Sequence, residues 1–324
     1  MNSKVKWSKR LMVVVVFLSM AVVARAATLQ YDGSTDDDWS KADNWSIYPG
    51  PVALGSTPWD APSAPADDIS IAANMTVNST QTYTTGPNVG TPFMIRRIGM
   101  VGGKKITIVD GGTLNFSGAT DAKIDLTNTG STLIMTGGKL ICTQSNLKGL
   151  NLVGSGAYCE IGSNSVVDIR DARTHSSYDP GINFNTATSA RALHIKGSSA
   201  SIILEQLRLS TGTNEELRFT LDSGGASSVG VEMQLDMSNA GVQLTILNPG
   251  GAFSGLQTLL FNLDNGSLGT FDSVVTDVGT FSGADGTTVT LGGGKSYELT
   301  YDYNGSGGIG LTTAAPAGTV INIK

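Results

Sequence analysis

Short runs of alternating apolar and polar residues recur four times between residues 106 and 204. Each copy starts with an isoleucine, passes through a tight turn of glycine, asparagine or serine, and ends in a second apolar strand. The copies occupy residues 108–116, 134–142, 161–169 and 195–204, at intervals of 26, 27 and 34 residues. One strand–turn–strand unit cannot bury its apolar face alone, so its recurrence predicts coils that stack into a solenoid.

The alternation also predicts which side chains point into the solenoid, because successive residues of a strand face opposite sides. Aligning the four copies gives three inward columns that stack from coil to coil. The columns are Ile108, Ile134, Ile161 and Ile195; Leu114, Leu140, Val167 and Ile202; and Phe116, Cys142, Ile169 and Leu204. The glycine pairs at 111–112 and 137–138, together with Asn164, are expected at sharp turns with positive φ.

The flanks of the repeat differ from it. Residues 27–100 hold three of the four tryptophans and seven of the ten prolines, and we expect them to cap the first coil, because an uncovered solenoid edge pairs with other chains. Residues 101–242 are expected to form the coils, and residues 243–324 to close the far end with hairpins. The predicted fold class is all-β: a parallel β-helix (β-solenoid) with an aromatic N-terminal cap and a β-hairpin-rich C-terminal end.

Composition agrees with this class. The chain has 41 glycines and only 15% charged residues, which is typical of many strands joined by tight turns. Its 40% of hydrophobic residues is too high for a disordered chain.

Residues 1–26 read as a cleavable signal peptide. They combine a basic start, an apolar run at 11–23 and Ala24-Arg25-Ala26, and that run is shorter than the ~20 residues that span a bilayer. The segment holds five of the 21 basic residues and no acidic one, so its removal lowers the net charge from −6 to −11. Such acidity argues against nucleic acid or an anionic membrane as partner. We expect a secreted or cell-surface protein with no membrane span after cleavage.

Short motifs at both ends resemble those of a known family. They are Trp39-x5-Trp45-Ser46 with Pro65 and Asp67-Asp68-Ile69-x-Ile71, and Tyr297-x-Leu299-x-Tyr301 with Gly310-Leu311-Thr312. These are similar to the opening and closing strands of exported bacterial surface proteins of the autotransporter and PEP-CTERM types. The resemblance implies a parallel β-helix passenger and no particular chemistry. After Thr313 the sequence departs from the family pattern, with no Pro-Glu-Pro sorting signal, so we expect release or non-covalent attachment.

The densest chemistry lies between the third and fourth copies. Asp168 and Arg170 alternate with the inward Ile169 and should face outward, with His175 and Asp179 brought near by the following loop. Paired carboxylates can cleave a glycosidic bond, and a basic residue can abstract a proton beside a uronate. The matching positions of neighbouring copies offer no second carboxylate, so the four residues are weak catalytic candidates, and an ion-pair cluster is the alternative.

Three further sets of residues are candidates for other roles. Trp39, Trp45 and Trp59 would bind a sugar if their rings were exposed, and would form a cap if buried. Cys142 and Cys159, an even count in an exported chain, permit a disulfide, although two buried thiols fit equally. With two histidines and no ligand spacing, we expect no metal site and no cofactor.

Three functions therefore stay open. The first is an exported, non-catalytic structural or adhesive solenoid of the bacterial surface or extracellular space. The second is a polysaccharide-binding module, and the third is a polysaccharide lyase or hydrolase. The expected partners are extracellular polysaccharide or other surface proteins.

Overall fold

The computed structural model describes residues 28–48, 52–53, 68–82, 89–93, 95, 97–116, 123–143, 149–170, 181–184, 190–209, 214–238, 241–262, 267–303 and 308–314. The chain is a parallel β-solenoid of about six turns, and 58% of the described residues are in strands, which confirms the predicted fold class. Short 3₁₀ turns at Ala42–Asn44 and Pro249–Gly251 are the helical elements of this described part. None of its helices has the length and apolar character needed to cross a membrane.

The strands are short and follow one another closely along the chain. In chain order they are β1 (Thr28–Tyr31), β2 (Trp45–Tyr48), β3 (Val52–Ala53), β4 (Asp68–Ile71), β5 (Met75–Val77), β6 (Arg97–Met100), β7 (Lys105–Val109), β8 (Thr113–Phe116), β9 (Lys123–Leu126), β10 (Thr132–Thr136), β11 (Lys139–Cys142), β12 (Gly149–Leu152), β13 (Tyr158–Ile161), β14 (Val166–Ile169), β15 (Gly181–Phe184), β16 (Arg191–Lys196), β17 (Ser201–Arg208), β18 (Glu215–Thr220), β19 (Val229–Met237), β20 (Val242–Leu247), β21 (Gln257–Asn262), β22 (Ser267–Gly269), β23 (Ser273–Thr276), β24 (Thr280–Ser282), β25 (Thr288–Thr290), β26 (Ser296–Tyr303) and β27 (Gly308–Thr313).

Each coil contributes one strand to a parallel sheet that we call face 1. This sheet pairs β5, β7, β10, β13, β16, β18, β20 and β23 in that order. Two buried columns run along its inner side, because directly paired residues of parallel strands stack on one another. The columns are Ile106, Leu133, Cys159, Leu193, Leu217 and Leu244, and Ile108, Met135, Ile161, Ile195, Phe219 and Ile246.

Two further faces complete each coil. Face 2 stacks β8, β11, β14, the first halves of β17 and β19, and β21, whereas face 3 stacks β4, β6, β9, β12, β15, the second halves of β17 and β19, and β22. The columns predicted for face 2 are confirmed, since its members are almost fully buried. They include Leu140, Val167, Ile169 and Ile202.

One predicted inward position, Ile134, is wrong. Met135 occupies the place between Ile108 and Ile161, and Ile134 faces outward. The cause is the next turn: Thr136 pairs with Val109 and Lys139 with Thr113, so this turn has one residue fewer than the turn of the preceding coil. Because side chains alternate with a period of two, a one-residue change moves the neighbouring position to the other side.

The glycine pairs have two separate tasks. The predicted positive φ is confirmed for Gly111 at 79°, Gly137 at 120° and Asn164 at 63°. It is wrong for the second glycine of each pair, Gly112 and Gly138, which do not have a positive φ. The second glycine of the first pair, Gly112, is required by close packing, because a β-carbon there would lie 2.1 Å from the carbonyl oxygen of Val77. The turn can therefore rest directly on the preceding coil.

The N-terminal end is closed by an aromatic cap, as predicted. Strand β1 pairs in parallel with β4, and β2 then folds back antiparallel to β1 and pairs with β3. Trp39 and Trp45 are each 1% exposed. The indole nitrogen of Trp45 donates to the carbonyl oxygen of Trp39 at 2.8 Å, and its ring meets Tyr31 edge-on with centroids 5.2 Å apart.

The buried amide of Asn44 organises the loop of this cap. Its Oδ1 accepts hydrogen bonds from the backbone of Thr35 and Asp36 at 2.8 and 3.1 Å, and its Nδ2 donates to the Asp36 carboxylate and to the Asp38 carbonyl at 2.9 and 2.8 Å. Because the side chain is fully buried and all these groups are satisfied, it fixes the chain reversal at Ala42–Asn44.

Parallel stacking extends beyond residues 101–242 at both ends. Strands β4 and β5 already pair in parallel with β6 and β7, so the segment 27–100 contains coils as well as a cap. At the other end β23 still pairs in parallel with β20. Beyond it, antiparallel pairing of β23 with β24, β25 with β26 and β26 with β27 forms the predicted hairpin-rich end.

Of the two arrangements left open for Cys142 and Cys159, the structure has two separate buried thiols and no disulfide between them. Cys142 points inward from face 2, where its register partners are Phe116 and Ile169. Cys159 points inward from face 1, in the column of Leu133 and Leu193. Burial, with a smaller effect of the nearby Glu160 charge, raises the pKa of Cys159 well above its usual value, so it behaves as a small apolar side chain.

Candidate functional site

The weak catalytic candidates at Asp168 and Arg170 form an ion-pair cluster on the outside of face 2. Nε and Nη2 of Arg170 donate to the two Asp168 oxygens at 2.6 and 2.7 Å, and Nη1 donates to Glu232 at 3.0 Å. The bond to Asp168 raises the pKa of Arg170 well above its usual range. Since Glu232 lies in β19, two strands along face 2, this arginine ties separate coils together.

The surroundings of Asp168 do not resemble an acid–base pair. Its register partners in the neighbouring coils are Ile141 and Ile203, so no second carboxylate stands beside it there, as expected from the sequence. The other two members of the predicted set, His175 and Asp179, lie outside the described residues.

The proposed sugar-stacking role of Trp39 and Trp45 is also wrong for this fold. A ring that is 1% exposed is covered by its own protein and offers no flat face to a ligand. Both rings belong to the cap, and Trp59 lies outside the described residues.

A cluster of titratable side chains that sequence reasoning missed lies on the outside of face 1. Three consecutive strands, β13, β16 and β18, carry polar groups at adjacent outward positions. We call the set the Tyr158 cluster, and its members are Tyr158, Glu160, His194, Lys196, Glu216, Arg218 and Thr220. The sequence did contain a signal, since Tyr-x-Glu, His-x-Lys and Glu-x-Arg alternate with inward apolar residues in all three strands.

Hydrogen bonds join the centre of the Tyr158 cluster into a chain. The Tyr158 hydroxyl lies 2.8 Å from Glu160 Oε2 and 2.6 Å from His194 Nδ1, and His194 Nε2 lies 2.9 Å from the Thr220 hydroxyl. If Tyr158 donates to the Glu160 carboxylate, its oxygen accepts from Nδ1–H, and Nε2 accepts from Thr220. A neutral His194 protonated on Nδ1 satisfies all three contacts.

Burial keeps the imidazole of His194 and the phenol of Tyr158 uncharged at neutral pH. It is the main cause that lowers the pKa of His194 below its usual value, against the opposing effect of the Glu160 charge. Burial, followed by the bond to Glu160, raises the pKa of Tyr158 well above its usual value. His194 is 7% exposed, so its two ring nitrogens serve the cluster rather than the solvent.

The His194 environment predicts a pH-dependent stability. Since its pKa is lower in the folded than in the unfolded chain, the unfolded chain binds more protons below pH about 6.5. The free energy of unfolding should therefore fall as the pH drops below about 6.5, the usual pKa of histidine. The free energy of unfolding should be measured by urea unfolding at a series of pH values. Its dependence on pH should be weaker for His194→Gln than for the parent protein. An equal dependence in the two proteins would contradict this assignment of the neutral ring.

Beside the Tyr158 cluster, a groove of about 470 Å³ follows the corner where face 3 passes into face 1. We call it the corner groove. Five consecutive coils line it, and each contributes the residues that lead into its face 1 strand. The lining is Gly156, Ala157, Tyr158, Ala190, Arg191, Ala192, Asn214, Glu215, Glu216, Gly241, Gln243, Asp272 and Ser273.

A buried ion pair supports the corner groove from below. Arg191 and Glu215 have no exposed side-chain surface, and Arg191 Nη2 donates to a Glu215 oxygen. Arg191 Nη1 also donates to the Leu152 carbonyl at 2.7 Å, and the guanidinium lies 5.7 Å from the centre of the Phe184 ring. Burial lowers the pKa of Arg191, although the Glu215 charge opposes this. The pair joins two neighbouring coils inside the solenoid.

The rim of the groove repeats an arrangement seen on face 2. Arg218 donates from Nε and Nη2 to the two oxygens of Glu216 at 3.0 and 2.8 Å, as Arg170 does to Asp168 two residues away. At the other end, the Asp272 carboxylate accepts hydrogen bonds from the backbone of Gly241 and Val242. Across the described ranges, three or more His, Cys, Asp or Glu side chains never converge in a way that could hold a metal ion.

Comparison with known proteins gives no relative for this chain: no protein family, curated protein or solved structure matches it. The resemblance to autotransporter-type and PEP-CTERM-type surface proteins therefore stays a prediction. Function must be argued from the faces of the solenoid.

Proposed function

We propose that this protein is an exported, non-catalytic β-solenoid that serves as a structural or adhesive element at the bacterial surface or in the extracellular space. The observation that carries the proposal is that the charged side chains at the Asp168 site on face 2 and at the rim of the corner groove on face 1 are engaged with one another. Arg170 bridges Asp168 and Glu232, and Arg218 holds Glu216. The bond from Arg170 to Glu232 ties two coils together, and in both groups each charge is paired with a partner of opposite sign.

The Tyr158 cluster favours binding over proton transfer. A general base needs a lone pair that the substrate can reach and a pKa near the working pH. Both His194 nitrogens are within hydrogen-bond distance of protein partners, and the raised pKa of Tyr158 keeps its hydroxyl protonated. These features disfavour a lyase that would use either group as its base.

A hydrolase at Asp168 is disfavoured by a different observation. Glycoside hydrolysis uses two carboxyl groups on either side of the bond that is cleaved. Both Asp168 oxygens accept from Arg170, and the positions beside Asp168 in the adjacent coils are isoleucines. The carboxylate therefore serves the ion pair that links the coils.

Export is proposed from residues 1–26 and has a direct test. The full chain should be expressed in a bacterial host, and the exported protein should be analysed by N-terminal sequencing. We expect a mature protein that starts at Ala27, because cleavage follows the small residues Ala24 and Ala26. A chain that stays in the cytoplasm with its leader intact would overturn the proposed location.

The absence of catalysis is tested by incubating the mature chain with neutral and uronate-containing polysaccharides. We expect the polymer length distribution to stay unchanged, with no new reducing ends and no unsaturated uronates. Depolymerisation that His194→Ala or Asp168→Asn abolishes would overturn the proposal. Those two variants assign any activity to face 1 or to face 2.

A further inference from the structure

We infer that the corner groove is a binding site for a neutral, hydroxyl-rich polysaccharide chain that lies along the solenoid axis. The inference rests on the proposed adhesive function and supplies its ligand class. It assigns sugar binding to residues of the corner groove instead of Trp39 and Trp45, which are buried in the cap.

The length of the groove suits a polymer. Its lining comes from five consecutive coils at one corner, and four strand spacings of about 4.8 Å give a length of about 19 Å. Its volume of about 470 Å³ lies within the usual range for ligand sites. Because every coil contributes the same part of its backbone, the groove is straight and parallel to the axis, as an extended chain requires.

Small residues create the depth of the groove. The outward-facing residues of face 1 also stack from coil to coil, and we call each such row an outward ladder. In one of these rows Ala192 lies directly between Tyr158 and Glu216. The strands that carry Tyr158 and Glu216 are therefore two strand spacings, or about 10 Å, apart, and the residue between them contributes only a methyl group. This notch leaves room for a sugar ring beside the half-buried face of the tyrosine.

The polar groups around this notch match hydroxyl groups. Gln243 and Ser273 continue the same outward ladder beyond Glu216, and Asn214 stands at the groove margin. The amides and the hydroxyl can both donate to and accept from sugar hydroxyls, and the carboxylate can accept from them. The aromatic ring of Tyr158 offers an apolar face to the sugar C–H groups. This mixture is suited to a carbohydrate better than to an apolar ligand.

The charges of the groove exclude an anionic polymer. Glu215 is neutralised by the buried Arg191, and Glu216 is neutralised by Arg218 at the rim. Asp272 adds a further negative charge, and its Oδ2 accepts from the backbone amides of Gly241 and Val242. The chain itself carries a net charge of −6. A uronate or sulfated polymer would meet repulsion, so the ligand is neutral.

The experiment is affinity electrophoresis of the mature chain through gels that contain one polymer each. The neutral probes are xyloglucan, galactomannan and hydroxyethylcellulose, and the anionic probes are alginate and polygalacturonate. We expect at least one neutral polymer to retard the protein and the anionic polymers to leave its mobility unchanged. Ala192→Leu, which fills the notch with a larger side chain, should lower the affinity derived from the retardation about tenfold.

The matched control is Thr132→Leu. Thr132 stands in the same outward ladder, next to Tyr158 but outside the groove, so this variant adds a similar bulk without blocking the site. Tyr158→Phe keeps the ring and should keep most of the binding, and circular dichroism verifies that each variant is folded.

Three outcomes would overturn the inference. The first is retardation by a neutral polymer that Ala192→Leu leaves unchanged, the second is no retardation by any neutral polymer, and the third is stronger retardation by alginate than by the neutral polymers. The proposed non-catalytic function is tested separately, by measuring the length of the same polymers after incubation with the protein. Shortened polymer with binding lost in Ala192→Leu would refute the non-catalytic proposal and leave the groove assignment standing.

Discussion

Replacing Arg191 by methionine is expected to lower the free energy of unfolding by about 3–5 kcal/mol, because it leaves the Glu215 carboxylate buried without its counter-charge. Both side chains are 0% exposed, so solvent cannot replace the lost partner. The loss should appear as a lower midpoint of urea unfolding monitored by circular dichroism, with an unchanged slope if the transition stays two-state.

The double variant Arg191→Met/Glu215→Leu is the control for this prediction. Two apolar side chains of similar size remove both buried charges, and most of the lost stability should return. A single variant as stable as the parent protein would show that the pair is solvated. A double variant as unstable as Arg191→Met would show that packing, rather than the unpaired carboxylate, causes the loss.

Replacing Trp39 by alanine is expected to cost about 3–5 kcal/mol, because a large, fully buried ring is removed from the cap over the first coil. It also weakens the cover on a solenoid edge, so the variant should associate into larger species. Sedimentation velocity measures this association, and urea unfolding measures the loss of stability.

Val278→Ala is the matched control, since Val278 is 57% exposed and its truncation should change neither measurement. A Trp39→Ala protein that keeps its stability and stays monomeric would mean that the N-terminal region is not a cap.

Period-two alternation was sufficient to predict the class of fold and most of its core. Leu140, Val167 and Ile169 fall where the stacked copies place them, because each coil buries the same alternate positions. Ile134 fails for a local reason, since its turn has one residue fewer than the turn it was aligned with. Alternation alone cannot reveal the missing turn residue, because Ile134 and Met135 are both apolar and either one could be assigned to the inward side.

The candidate site was less predictable, because it depends on which strands become neighbours. Asp168 and Arg170 were correctly expected to face outward, but their engagement by Glu232 requires the pairing of strands far apart in sequence. The Tyr158 cluster joins Tyr158, His194 and Arg218 from three coils with unequal spacing. The repeat that the sequence predicts ends at residue 204. It therefore does not predict that β18 pairs with β16, or that the outward residues of these two strands are neighbours.

The two cysteines illustrate the same limit. Their inward direction followed from alternation, yet that direction alone does not say which face each residue belongs to. Cys142 lies on face 2 and Cys159 on face 1, so each packs within its own column.

The corner groove exists only if the coils stack in parallel in the register described, and a cross-link between paired positions tests this most directly. Ala192 and Glu216 are direct partners on β16 and β18, about 4.8 Å apart, within the span of a disulfide. The variant Ala192→Cys/Glu216→Cys should form an intramolecular disulfide under mild oxidation, seen as loss of two thiols and a shifted non-reduced band. Ala192→Cys/Arg218→Cys, displaced by two residues to about 8 Å, should stay reduced. No disulfide in the first variant, or equal formation in both, would contradict the parallel register.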